Sequence, residues 1–168
     1  MPLNLEWLYD DHAQSLFAFL LNVTRNEADT HDLLQELFVK IASRPELLSG
    51  VRDERGFLLR SSHNLAIDLI RRRTTREKNY GEFAAETDSV FELSGDTDEY
   101  SFRTALNETL AELPTEQRAV VHLKLWENLT FEKTADLLGI STNTAASRYR
   151  YGIDKLRERL RPLYDEIK

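Results

Sequence analysis

The chain contains no cysteine. This absence excludes disulfide bonds, thiolate metal sites and cysteine nucleophiles. No apolar run approaches the ~20 residues that a membrane-spanning helix requires. The acidic opening stretch, residues 1–12, does not have the pattern of a signal peptide. These absences are compatible with a cytoplasmic protein, and no membrane partner is expected.

Basic side chains are outnumbered, and they are unevenly distributed. The formal net charge is −7, which at first argues against a nucleic-acid ligand. Residues 51–80, however, carry eight basic and four acidic side chains, whereas residues 81–113 carry one basic and nine acidic ones. We therefore expect the chain to bind free DNA weakly by itself. Binding should tighten when a partner supplies positive charge or ordering.

Apolar side chains recur at helical spacing along most of the sequence. A hydrophobic content of 41% supports a packed core. No stretch shows strand-like alternation long enough to predict a strand, so the chain is predicted to be all-α. The predicted helices span residues 5–24, 27–43, 55–78 and 103–113, then about a dozen residues from 115, and then a pair of short helices within 130–151.

Between the two groups of helices the sequence changes character. The segment 81–102 is acidic, contains no basic residue and shows no sustained period, so it is predicted to be a linker. The sequence therefore predicts two small helical domains, residues 1–80 and 103–168, joined by this acidic linker.

The stretch from 130 to 151 is typical of two helices joined by a tight turn. Gly139 can end the first helix, and Ser141 is placed to cap the second. The small Ala135 lets the two helices cross closely. This is the layout of a DNA-reading helix-turn-helix, whose polar side chains reach base edges in the major groove. A plain helical hairpin with a solvated polar face is the alternative. The outward side of the second helix carries Asn143, Thr144, Ser147, Arg150, Tyr151 and Asp154.

The third predicted helix is rich in basic residues. Arg60, Asn64 and Arg71 share one of its faces, and the helix ends in three consecutive arginines, residues 71–73. Such a face can neutralise phosphates and hydrogen-bond to exposed bases. The alternative is an ordinary charged surface helix, and this cluster alone does not decide between the two.

The sequence contains no convergent set of catalytic groups. Its four histidines fall on different predicted helices. No G-x-S-x-G, P-loop or H-E-x-x-H motif occurs, and the repeated Glu-x-x-His of helical carboxylate metal sites is absent. We therefore expect no enzymatic activity, no metal site and no cofactor.

Taken together, these pieces resemble a bacterial sigma factor of the small, two-domain extracytoplasmic-function type, within the sigma-70 family. The first block is DTHDLLQELFVKI, residues 29–41, which resembles the helix with which the family clamps the coiled coil of the largest polymerase subunit. The second is RGFLLRSSHNLAIDLIRRR, residues 55–73, which resembles the family's promoter-opening helix. The third, residues 105–160, resembles its C-terminal domain. The blocks stand in the family's order and cover nearly the whole chain.

The resemblance implies roles for residues of the first domain. Asp32, Gln35 and Glu36 would face core RNA polymerase. The loop of residues 44–54 would hold the flipped base of the downstream promoter element. The linker would thread toward the active-site and RNA-exit channel of the polymerase. The non-template strand and the melted junction would be handled by Arg60, His63, Asn64, Arg71 and Arg72.

The resemblance also implies how the second domain would hold promoter DNA. Lys124 and Arg148 would contact phosphates of the upstream element. The side chains that would meet its major groove are Ser141, Asn143, Thr144, Ser147, Arg150 and Tyr151.

Some positions depart from the family's pattern. Phe57 stands where the family often has tryptophan, Ser61 where it has an aliphatic residue, and His63 where it has arginine. In the recognition helix, Ala145 replaces a common valine and Ala146 stands where some members carry a base-reading arginine. These departures concern the promoter sequence that is read rather than the class of protein.

The expected function is therefore to bind core RNA polymerase and direct it to promoter DNA, with an anti-sigma factor left open as a further partner. The main alternative is a stand-alone helix-turn-helix regulator of the response-regulator output type, which would bind duplex DNA without polymerase. That alternative leaves residues 29–41 and the basic third helix unexplained.

Overall fold

The computed structural model describes residues 3–80 and 97–167 of the chain. Residues 81–96, which form most of the predicted linker, lie outside the described residues. The chain divides into two compact units, Met1–Asp88 and Ser89–Lys168. Within the described residues all regular structure is helical, which confirms the all-α prediction. The helices are α1 (Leu5–Thr24), α2 (Glu27–Ser43), a short 3₁₀ turn (Pro45–Leu48), α3 (Glu54–Tyr80), α4 (Thr97–Glu112), α5 (Thr115–Leu125), α6 (Phe131–Leu138) and α7 (Thr142–Ile167).

Side-chain caps define the beginnings of the first helices. The Asn4 side chain accepts a hydrogen bond from the Trp7 N–H at 3.0 Å, and α1 starts directly after it. The Asn26 side chain does the same for the Asp29 N–H at 2.9 Å, and α2 follows. Such caps satisfy backbone donors that a helix leaves unpaired at its start. The predicted bounds of α1 and α2 are therefore confirmed.

The N-terminal unit packs α1, α2 and α3 around one apolar core. Phe19 of α1 and Leu58 and Leu59 of α3 are fully buried, and Leu37 and Ile41 of α2 complete the centre of the core. The side chains of α3 from 71 to 77 are all exposed. The last turns of α3 therefore lie beyond this core.

The C-terminal unit starts earlier than its sequence pattern predicts. α4 begins at Thr97, not near Arg103. The Arg103 guanidinium contacts the Glu99 carboxylate at 2.5 Å, one helical turn before it, and this spacing stabilises a helix. Phe102 is partly buried, so this first part of α4 also has an apolar contact surface.

A buried arginine and a glycine shape the packing of the C-terminal helices. Arg118 is buried, and its guanidinium donates hydrogen bonds to the carbonyls of Leu110 at 3.2 Å and Leu113 at 2.9 Å. These carbonyls lie in and just after the last turn of α4, which lacks intrahelical donors. Gly152 lets α7 approach α5, because a Cβ there would stand 2.6 Å from the Val121 Cγ2.

Candidate nucleic-acid and protein interfaces

The turn between α6 and α7 is built by its own backbone and side chains. Gly139 has a φ of 69°, in the left-handed region that favours glycine. The Ile140 N–H donates to the Ala135 carbonyl at 3.0 Å, closing the end of α6. The Ser141 Oγ accepts a hydrogen bond from the Thr144 N–H at 3.1 Å, which caps α7. The predicted roles of Gly139 and Ser141 in the fold are therefore confirmed.

Small and apolar side chains hold the two helices together. Ala135 of α6 and Ala145 of α7 are both buried, which permits the close crossing predicted from the sequence. The Phe131 and Tyr149 rings pack edge to face with centroids 5.4 Å apart. Farther along α7, Leu156 is buried against α4 and α5 in the core of the unit. The inward face of α7 thus fixes the orientation of its outward face.

The outward face of α7 presents most of the predicted base-reading side chains together. Asn143, Arg150 and Tyr151 are exposed, and Thr144 and Ser147 are partly exposed. Tyr151 has 62% of its surface accessible, and the Arg150 guanidinium lies 5.8 Å from the centre of its ring. Arginine and tyrosine side by side offer one charged donor group and one flat stacking surface.

The start of this surface is already ordered. The Ser141 and Thr144 hydroxyls lie 2.8 Å apart, so their orientations depend on each other. Because the Ser141 Oγ also caps α7, a change at this residue affects both helix stability and the polar surface. Arg148, predicted to contact a phosphate, is partly exposed.

Lys124 is placed differently from the other predicted DNA contacts. Its ammonium donates a hydrogen bond to the Leu129 carbonyl at 2.9 Å and lies 4.3 Å from the centre of the Phe131 ring. The side chain therefore braces the connection between α5 and α6. Because the residue is only partly buried, a phosphate contact remains a prediction.

The predicted strand-opening face of α3 is exposed along its length. Arg60, Asn64 and Arg71 are open to solvent, as the helical spacing predicts. Arg72 is also exposed, and its Nε donates to the Asp68 carbonyl at 3.4 Å. His63 differs, because it is only partly exposed and its ring centroid lies 6.4 Å from that of the buried Phe19.

A contact that sequence reasoning missed occupies the third arginine of the basic cluster. Both terminal nitrogens of Arg73 donate to the carboxylate of Asp29, and the Nη2–Oδ1 distance is 2.7 Å. The hydrogen bond to this carboxylate raises the pKa of Arg73, so the guanidinium stays charged. The two residues are 44 positions apart, and no local pattern signals their pairing.

The predicted polymerase-facing residues lie together on α2. Asp32, Gln35 and Glu36 are all exposed. Gln35 also lines an apolar groove of about 420 Å³ between α1 and α2. Val39 and Tyr9 line the same groove, with 58% and 48% of their surfaces exposed. Sequence reasoning did not assign these two apolar side chains to the site.

The C-terminal unit contains a buried histidine, His122. Burial lowers the pKa of His122 to about 4, and the nearby Glu127 carboxylate offsets only part of this effect. The ring is therefore neutral near pH 7, packed 5.2 Å from the Trp126 ring. Across residues 3–80 and 97–167, no group of three or more histidine and carboxylate side chains is placed to hold a metal ion. No helix in these ranges is both long and apolar enough to cross a membrane.

Two family models match the chain, in the order that the sequence predicts. Residues 8–76 match sigma-70 region 2, and residues 109–158 match sigma-70 region 4. The ECF RNA polymerase sigma factor SigX of Bacillus subtilis is 26% identical over 172 residues, which cover 99% of this chain and 89% of that protein. The RNA polymerase sigma factor CarQ of Myxococcus xanthus is 32% identical over 165 residues, which cover 96% and 92% respectively.

A solved structure shares the fold. The sigma factor RpoE from Bartonella quintana, crystallised with the anti-sigma factor NepR, matches with a TM-score of 0.77 at 20% identity, over 93% of this chain and 96% of that chain. Both family models and a relative of similar length lead to one assignment. The chain belongs to the sigma-70 family of RNA polymerase sigma factors, in its extracytoplasmic-function group, and it is not an enzyme.

Proposed function

We propose that this sigma factor divides its work between its two helical domains. Residues 1–80 would bind core RNA polymerase and open the downstream promoter element, and residues 103–168 would read the upstream element as a duplex. The observation that carries this proposal is the outward face of α7, where exposed polar side chains follow a capped helix start and a tight glycine turn.

The upstream element would lie against α7. Asn143, Ser147 and Arg150 are spaced to meet successive base edges, and a bidentate arginine–guanine contact discriminates bases by about 1–3 kcal/mol. Arg148 and Lys124 would hold phosphates on either side. For Lys124 this requires sharing its ammonium with the Leu129 carbonyl. The absence of an arginine at Ala146 leaves Arg150 as the principal cation of the outward face.

The downstream element would be opened by α3 and the residues before it. Extruding a base from the stack costs a few kcal/mol, and binding the freed strand offsets this cost. The loop of residues 44–54 would take the flipped base. The exposed row of Arg60, Asn64 and Arg71, with Arg72, would bind the phosphates and bases of the non-template strand, and His63 would contribute at its edge.

Core polymerase would dock on α2. Asp32, Gln35 and Glu36 supply polar contacts, and the groove beside Gln35 supplies apolar surface. Interfaces of this kind combine an apolar centre with a polar rim. The net charge of −7 should keep the affinity of the free chain for DNA low, and binding to polymerase should raise it.

Co-elution with core RNA polymerase in size-exclusion chromatography tests this assignment of α2. The wild-type chain should form a one-to-one complex, and the combined substitutions Gln35→Ala and Glu36→Ala should weaken it while leaving helical content unchanged. Glu27→Gln, which alters an exposed residue in the first turn of α2, is the matched control. Unchanged affinity of the double variant would remove the α2 face from the interface.

The same assignment suggests a cellular compartment and an inhibitor for this chain. Because polymerase acts in the cytoplasm, we propose that compartment for this chain, and cell fractionation tests it. An anti-sigma factor is a candidate inhibitor, since RpoE of Bartonella quintana crystallises with NepR. The stand-alone regulator does not account for the match of residues 8–76 to sigma-70 region 2. Specific binding of the chain to duplex DNA without polymerase would nevertheless support the stand-alone regulator.

A further inference from the structure

The ion pair between Asp29 and Arg73 joins two helices that are distant in sequence. Asp29 stands in the first turn of α2 with only 11% of its side chain exposed, whereas Arg73 is half exposed near the end of α3. The guanidinium uses two nitrogens on two carboxylate oxygens. This forked arrangement fixes orientation as well as distance, which a single hydrogen bond does not.

The pair anchors a part of α3 that the core does not hold. The side chains of residues 71–77 are all exposed, whereas Leu58, Leu59 and Ala66 earlier in α3 are fully buried. The last turns of the helix therefore gain little from apolar packing. Such turns fray readily unless a side chain ties them to a neighbouring element. Arg73 provides that tie to α2.

The anchor lies on the same helix as the proposed polymerase face. Glu36 is seven residues after Asp29, so the two residues lie almost in line along α2. Asp32 falls between them on the adjoining strip of the helix. At the other end of the pair, Arg71 and Arg72 immediately precede Arg73. One contact thus connects the helix that would bind polymerase with the arginines that would bind the opened strand.

We propose that Asp29 and Arg73 are positioning residues for strand opening, an inference that rests on the proposed function. The pair holds the end of α3 against α2, so that docking of α2 on polymerase also places Arg71 and Arg72 at the melted junction. Both terminal nitrogens of Arg73 bind the carboxylate, so the guanidinium is oriented toward α2, and the role proposed for it is to hold α3 rather than to bind DNA. The pair acts on the opening step and leaves the affinity for core polymerase unchanged.

Asp29→Asn tests this inference in the complete holoenzyme. Core affinity should stay within about twofold of wild type, since the exposed face of α2 is intact. Permanganate-detected opening of a duplex promoter should fall about fivefold, which corresponds to ~1 kcal/mol. On a template with a pre-opened bubble, transcription should return to the wild-type level, because nucleation of the melted region is no longer required. Glu27→Gln, which removes a charge from the same helix turn, should change none of these readings.

A double-mutant cycle separates the pair from simple loss of charge. Arg73→Gln should reduce opening as much as Asp29→Asn, and the combined variant should be no worse than either alone. Arg76→Gln removes an exposed charge from the same end of α3 without touching the pair, and its effect should add to that of Asp29→Asn.

Three outcomes would overturn the inference. The first is that Asp29→Asn opens the duplex promoter as well as wild type. The second is that its defect is as large on the pre-opened template as on the duplex. The third is that its core affinity falls in proportion to a lowered melting temperature. The third outcome would make the pair merely structural. If Asp29→Asn does not fold, Arg73→Gln at the half-exposed end carries the same comparison. Failure of the wild-type chain to bind core polymerase would instead refute the proposed function, so the two failures are distinguishable.

Discussion

A single methyl group added at Gly152 should destabilise the C-terminal unit. In Gly152→Ala the new Cβ would stand 2.6 Å from the Val121 Cγ2 and 3.7 Å from the Leu113 Cδ1. Val121 is fully buried, and its branched side chain has one strongly preferred rotamer in a helix, so it has little room to move. The clash must therefore be relieved by shifting α7 against α5.

Two opposing effects decide whether Gly152→Ala lowers or raises the free energy of unfolding. Replacing glycine by alanine within a helix gains about 1 kcal/mol of helix propensity. Overpacking a close-packed core costs about 1–3 kcal/mol, and the stiff, buried neighbour places this site in the upper part of that range. The net loss of unfolding free energy should be about 1–2 kcal/mol, the difference of those terms.

Urea unfolding of the complete chain can measure this loss in the unit concerned. The sequence has two tryptophans, Trp7 and Trp126, so a Trp7→Phe background leaves Trp126 fluorescence as the reporter of the C-terminal unit. The midpoint should fall by about 1 M for a slope of about 1–2 kcal/mol per molar. The exposed helix variant Asp154→Ala is the control and should hold or raise the midpoint.

Adding Val121→Ala to Gly152→Ala removes the methyl group that clashes. If the reasoning is correct, this second change should cost less in the Gly152→Ala background than in the wild-type background. A Gly152→Ala chain that is more stable than wild type would refute the close-approach argument. It would mean that α7 has room to accept the methyl group.

The remaining predictions concern single side chains. Burial lowers the pKa of His122 to about 4, against 6.5 in the unfolded chain, so the unfolded chain takes up a proton at a higher pH than the folded one. The free energy of unfolding should therefore fall by about 3 kcal/mol as the pH drops from 6.5 to 4. In His122→Gln, unfolding measured as a function of pH should lack this part of the decrease. Arg118→Met removes the guanidinium donor from the Leu113 carbonyl, while the Leu110 carbonyl keeps the Leu113 N–H at 3.2 Å; the change should cost about 2 kcal/mol of unfolding free energy, which the urea midpoint measures. Ser141→Ala should cost about 1 kcal/mol by removing the cap, whereas Ser141→Asp should keep the stability and weaken promoter binding, because it places a negative charge near phosphates. Arg150→Ala should lower promoter-specific transcription by about tenfold with core binding unchanged; loss of core binding as well would show that Arg150 has a structural role.

Local signals explain why the beginnings of several helices could be predicted from sequence. α1 and α2 have asparagine caps, and α6 ends at a glycine with a left-handed backbone, so their bounds depend on residues within a few positions. The predicted start of α4, at residue 103, was wrong because residues 97–102 share the acidic composition of the segment before them. Their helix is supported by a contact between Glu99 and Arg103 that the composition does not reveal.

Contacts across the fold explain what the sequence could not predict. The pairing of Asp29 with Arg73 depends on how α2 packs against α3, and nothing near either residue marks it. The apolar groove beside Gln35 exists only because α1 and α2 lie side by side. The exposure of the polar faces of α3 and α7 did follow from helical spacing, because each face lies opposite an apolar stripe. The roles assigned to these side chains in DNA and polymerase binding stay predictions.

The division of α7 into two faces has an evolutionary consequence. Its inward positions, such as Ala145 and Leu156, are fixed by packing, whereas outward positions such as Asn143 and Arg150 are exposed. Substitutions on exposed helix positions usually change stability by less than 0.5 kcal/mol. If the outward face reads the promoter as proposed, point mutations there can change promoter preference at little cost in stability. A duplicated copy of this gene could then acquire a new regulon without passing through a variant that fails to fold.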